Sequence, residues 1–134
     1  MKLPLLSLFV LVCILSRSGY GQPVVASDGV VNGASYLQPD LPNAAIAQGS
    51  IFVVFGSNLG PATLQEAKSF PLPMVLAGTS IEITSGSTSA AAIMIYTSAT
   101  QLAAILPSSI AAGTASLTVT YNQQTDGVSI VVRS

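Results

Sequence analysis

The chain has 134 residues, half of them hydrophobic, only 7% charged, with a formal net charge of −1 at pH 7; this composition excludes a disordered chain and one that coats nucleic acid. It contains no histidine, no tryptophan and a single cysteine, Cys13. Those absences remove histidine acid–base chemistry, the commonest zinc sites and any intrachain disulfide.

Met1 and Lys2 open the chain with one basic side chain, and Leu3 to Leu15 follow as an almost unbroken apolar run that Ser16, Arg17, Ser18 and Gly19 end. A membrane-spanning helix needs about 20 apolar residues, so the run fits the shorter core of a signal peptide. Gly19 and Gly21 supply the small side chains a signal peptidase needs, which predicts a signal peptide over residues 1–21 and one domain over 22–134, with cleavage near Ala26 as the alternative. The expected location is outside the cell or in the periplasm or cell envelope, with no membrane span after cleavage. Val12 stands before Cys13 where a lipid-modified cysteine needs a small residue, so Cys13 is read as part of the apolar core of the leader.

Past the leader, the residues come in short blocks of Val, Ile, Thr, Ser and Ala separated by turn formers, which is a β composition. Pro23 to Ala26 and Val30 to Val31 predict a first strand interrupted at Asp28-Gly29, and Asn32-Gly33 a turn. Leu37 to Ala47, with Pro39 and Pro42, reads as a loop. Ile51 to Phe55 is a continuous apolar run, the pattern of a strand buried on both faces. Pro61 to Lys68 suggests a helical turn, as does Ser108 to Gly113. Thr79 to Thr84 alternates, with Ile81 and Ile83 on one face. Ala91 to Tyr96 and Gln101 to Leu106 are further strands. Thr114 to Tyr121 alternates again, and Asn122 to Gly127 is the expected hairpin turn into Val128 to Val132.

About seven short strands in some 110 residues predict an all-β immunoglobulin-like sandwich without a disulfide. Its expected core is Ile51, Val53, Phe55, Ile81, Ile83, Ile93, Ile95, Ile105, Leu117, Val119, Ile130 and Val132.

Six blocks occur in a characteristic order: Val30-Val31-Asn32-Gly33-Ala34-Ser35-Tyr36, Gly49 to Gly60, Pro71-Leu72-Pro73, Gly78-Thr79-Ser80-Ile81, Gln101 to Pro107 and Ala112 to Val119. Together they resemble an uncharacterised family of C-terminal domains of bacterial secreted proteins, itself similar to the IPT/TIG, E-set branch of immunoglobulin-like folds. The resemblance spans nearly all of residues 22–134 and implies no catalytic residues. Such domains usually end much longer chains, whereas this one directly follows the predicted signal peptide.

Reactive chemistry is sparse. Lys68 is the one base available to a serine nucleophile, and Gln65 stands three residues before it where a Ser-x-x-Lys motif needs serine. Nothing in the spacing makes Glu82 and Asp126 converge as a glycosidase pair. Asp28-Gly29 and Asp126-Gly127 have turn chemistry as their simpler reading than calcium. Gly49 to Gly60 lacks the Gly-Lys-Ser/Thr of a phosphate loop. The reading is therefore a secreted, non-catalytic module with no cofactor and no metal, structural or binding in role, contacting protein or glycan; the alternative is a small secreted hydrolase or enzyme inhibitor. Tyr36, Tyr96, Tyr121 and Ser129 are the candidate contact residues, with Phe70 as a further exposed aromatic. With only Lys68 and Arg133 basic beyond the leader, no nucleic-acid partner is expected. Thr114 to Tyr121 and Val128 to Val132 carry no lysine to guard an edge, which suggests self-association through an edge strand.

Overall fold

The computed structural model describes residues 21–134, and among these the β-branched blocks become strands throughout, with no helix. In chain order they are β1 (Val24–Asn32), β2 (Ile46–Ala47), β3 (Ile51–Ser57), β4 (Gln65–Glu66), β5 (Val75–Leu76), β6 (Thr79–Ser85), β7 (Thr88–Ala91), β8 (Ile93–Thr97), β9 (Gln101–Ile105), β10 (Gly113–Tyr121) and β11 (Gln124–Arg133). The first sheet runs β1-β3-β9-β8-β4; the second runs β2-β11-β10-β6-β5, with β7 also paired to β6. All pairings are antiparallel except β11 with β2, which is parallel.

Side chains on a strand alternate between its faces, and the two inner faces meet in one apolar cluster. Phe52, Val54, Met94, Leu102 and Ala104 come from the first sheet, and Ile81, Ile83, Leu117, Val119, Ile130 and Val132 from the second. The inward residues predicted for β6, β10 and β11 are all here. Those predicted for the first sheet are not: Phe52 and Val54 occupy the inward positions of β3, which turns Ile51, Val53 and Phe55 to the opposite face. The same one-residue shift places Ala103 and Ile105 outward on β9. On β8, a bulge between Met94 and Tyr96 leaves Ile93, Ile95 and Tyr96 half-buried outside the main cluster.

Four local expectations also change. The proposed helical turn over Pro61 to Lys68 is irregular chain containing β4, because Gln65 and Glu66 pair with Thr97 and Tyr96. The loop over Leu37 to Ala47 ends in β2. The last hairpin turns at Asn122-Gln123, both with positive φ (49° and 66°), the backbone of a two-residue type I′ turn, so Asp126 and Gly127 lie within β11. The segment Thr114 to Tyr121, expected as an unguarded edge, is paired to β11 along its length and to β6 from Ser116 to Tyr121. From Ser116 onward it is an interior strand and offers no edge.

The predicted signal peptide and Cys13 lie outside the described residues, apart from Gly21. Beyond it the chain is tied to the fold: Asn58 Nδ2 donates to the Gln22 carbonyl at 3.4 Å, and the Val25 N–H donates to Asp126 Oδ2 at 2.7 Å.

One polar connection crosses the core. Thr97 on β8 and Thr79 on β6 are fully buried. Thr97 Oγ1 donates to Thr79 Oγ1 at 3.2 Å, and Thr79 Oγ1 donates to the Leu59 carbonyl at 2.9 Å. Valine at position 79 keeps the shape but strands both the Thr97 hydroxyl and the Leu59 carbonyl. Thr79→Val is expected to lower stability by about 1–3 kcal/mol. Denaturant unfolding checks it; an unchanged midpoint would show that the chain of hydroxyls contributes nothing.

Candidate contact surface

The consequence of a strand that is apolar at every position is an apolar outer face. The β1, β3, β9 and β8 registers align Val31, Val53, Ala103 and Tyr96 in one row, and Ile51, Ile105 and Ile93 in the next. Val53 and Ala103, each 2% exposed, and Val31 are covered by neighbours on their own sheet, with Phe55, Ile95 and Tyr96 packed against them. Ile51, in contrast, is 48% exposed.

Two tyrosines named from the sequence converge here. Tyr36, with φ 53° in the turn after β1, is 54% exposed and places its ring 6.5 Å from that of Phe55, tilted by 54°. Tyr96 lies across the sheet, and Gln101 Nε2 donates to its hydroxyl at 2.6 Å. Beside Phe55 a shallow depression of about 470 Å³ is lined by Val24, Ala26, Gly56, Ser57 and Thr100. The surface thus combines an aliphatic floor, an aromatic pair and one oriented hydroxyl, the composition of interface cores. Ile51, Val53, Phe55, Ile93, Ile95 and Ile105 belong to it because a second inward-or-outward reading of the same apolar strands fits the pattern equally well; the sequence contained the signal and assigned it to the wrong face.

The other candidates lie elsewhere. Tyr121 is half-buried at the end of β10, near Gly78. Ser129 is exposed on β11. Phe70, 89% exposed, belongs to the connection between β4 and β5. The outer face of the second sheet is polar by comparison, with Glu82, Thr84, Ser116, Thr118, Thr120 and Ser129 along β6, β10 and β11. Glu82 is exposed, and the Asp126 carboxylate is engaged by the Val25 N–H, so the two carboxylates are not brought together. Lys68 is exposed in the connection after β4. Among the described residues, no three His, Cys, Asp or Glu side chains gather where they would hold a metal ion.

No family model matches the chain, and no curated protein does. Among solved structures it is similar to a protein from Bacteroides vulgatus named "Putative bacterial DNA binding protein", with a TM-score of 0.51 and 14% identity over 88% of this chain. The chain spans about half of that structure, 49% of its length. At this identity the likeness concerns the fold. It nevertheless overturns the expectation that no nucleic acid is a partner, because a protein that shares this architecture carries a DNA-binding name. The physical flaw in that expectation is that a net charge is a sum over the surface, whereas backbone N–H groups, hydroxyls and amides also contact phosphates and sugars.

Proposed function

We propose that the chain is an exported, non-catalytic binding module of the immunoglobulin-like IPT/TIG, E-set type, which contacts a protein or glycan partner in the cell envelope or outside the cell through the outer face of its first sheet. The apolar outer face carries this reading: an exposed sheet side holding Ile51, Phe55, Tyr36 and Tyr96 has its apolar area free to be buried by a partner. The E-set type is supported by the ordered blocks described above, with Gly56, Asn58 and Gly60 in and after the end of β3, and by a fold of two sheets without a disulfide.

The experiment places a photo-crosslinking amino acid at Ile105, the centre of one apolar row, and compares adducts with and without Ile51→Ser and Phe55→Ser. A discrete protein or glycan adduct is expected, reduced about tenfold or more by the paired substitution, while circular dichroism and thermal unfolding show the variant still folded. The name of the B. vulgatus protein brings duplex DNA into the same series as a probe by gel shift. Adducts that survive the substitutions unchanged, or a DNA complex insensitive to them, would overturn the proposed surface.

A further inference from the structure

The free edge of the second sheet borders a cleft away from the apolar face. The two-residue turn at Asn122-Gln123 makes Tyr121–Gln124 the closing hydrogen-bonded pair of the hairpin. Backbone direction then alternates: even-numbered residues of β11 aim their N–H and C=O at β10, and odd-numbered ones aim theirs away. Two bonds at the ends of the strand obey this parity, since the Thr125 carbonyl accepts from Gln22 Nε2 at 3.0 Å and the Arg133 carbonyl accepts from the Gln48 N–H at 2.8 Å.

Between these ends no strand is laddered to the edge, although the start of β1 runs close by and holds Asp126 through the Val25 N–H. The short β2 pairs only with Val132 and Arg133, and β1 follows β3, to which its register shifts between Val25 and Val30. The backbone groups of Gly127 and Ser129 that point away from β10 therefore have no ladder. In front of this stretch lies a cleft of about 260 Å³. Val30, Ile46, Val128, Ile130 and Val131 are among the apolar residues of its lining, Ser129 lies on its β11 wall, and Asp28 and Asp40 come from the β1 bulge and the loop before β2. No Lys or Arg lines it, so its charged groups are both carboxylates.

We infer that this cleft takes a short extended peptide bearing a lysine or arginine side chain, added as an antiparallel or parallel strand to the Gly127–Val131 edge of β11. Main-chain bonds to Ser129 supply the alignment, one side chain packs on the apolar lining of the cleft, and the cation faces Asp28 and Asp40, where an acidic side chain would be repelled. This site shares no residue with the apolar face proposed above, so either proposal stands or falls alone.

The probe is acetyl-Val-Lys-Val-Thr-Val-amide, titrated into the purified protein with backbone amide NMR as the readout. Saturable shifts are expected at Gly127, Ser129 and Val131. The lysine-to-glutamate peptide should bind at least tenfold more weakly, and so should the lysine peptide on the Asp28→Asn, Asp40→Asn protein. A peptide N-methylated on alternate backbone nitrogens, which cannot form strand bonds, should lose binding. The Ser129→Pro variant removes an N–H that the hairpin itself does not use and should lose binding while its remaining amide spectrum stays dispersed; if it fails to fold, the N-methylated peptide carries the same test. Shifts confined to residues of the apolar face, equal binding of the N-methylated or glutamate peptide, or no saturable shift at millimolar peptide would each overturn the inference.

Discussion

Truncating Phe52 to alanine is expected to cost about 3–5 kcal/mol, a large share of the stability of a domain this size. The ring is fully buried between the sheets, among aliphatic side chains from both of them, and neighbouring strands held by their ladders cannot collapse far into the space it leaves. The matching change at Phe55 separates the two faces of the same strand. Phe55 is half-buried on the outer side, where solvent refills the gap, so Phe55→Ala should cost about 1 kcal/mol. Equilibrium denaturation of both variants decides between the two phases of β3: a larger loss at 55 than at 52 would mean that the strand is turned over.

Gly56→Ala is expected to be as damaging for a steric reason. A Cβ at this position would lie 2.0 Å from the Val24 carbonyl oxygen and 3.1 Å from its carbon, both backbone atoms that no rotamer change can move. Gly56 pairs with Val25 and Ser57 with Val24, so the added methyl pries the start of β1 off the sheet. Val25 then leaves the core, and its N–H loses the Asp126 carboxylate. A destabilisation of about 3 kcal/mol or more, with new protease cleavage between residues 22 and 30, is the expected result. Cleavage and stability both unchanged would mean that β1 does not approach β3 so closely.

Strand existence was legible wherever polar and apolar residues alternate. In β6 and β10 the serines, threonines and Glu82 mark the outer side, so Ile81, Ile83, Leu117 and Val119 declare themselves inward, and the structure agrees. In β3 every residue from Ile51 to Phe55 is apolar, and a period of two without a polar phase mark fits either orientation. Ala103 and Ala104 on β9 are ambiguous for the same reason. The turn expected over Asn122 to Gly127 proved shorter, because polar turn formers can also lie in a strand; closing it at Asn122-Gln123 pairs Leu117 with Val128 and Ala115 with Ile130, keeping apolar side chains together on the inner face. Tyr36 and Tyr96 were recognisable as candidates, but their meeting on one sheet face depends on pairings between distant segments that no local pattern records. The cleft was invisible for that reason too, since Asp28, Asp40 and Ser129 come from three separate stretches.

The type I′ hairpin also sets an order of events for the folding chain. It joins nine residue pairs across two turn residues, and such local closure takes about 1–10 μs. β6 then adds to a ready template. The first sheet has a weaker start: its local hairpin, β8–β9, joins only four residue pairs and is broken by a bulge, and β3 must then find β9 by pairings such as Ile51 with Ile105, far apart in sequence, where non-local pairing slows folding. The hydroxyl-rich sheet is thus built early and the apolar one late. During that interval β3, apolar on both sides, is the segment most exposed to intermolecular capture, which makes the speed with which β9 reaches it the step that governs whether the chain reaches its native state or aggregates.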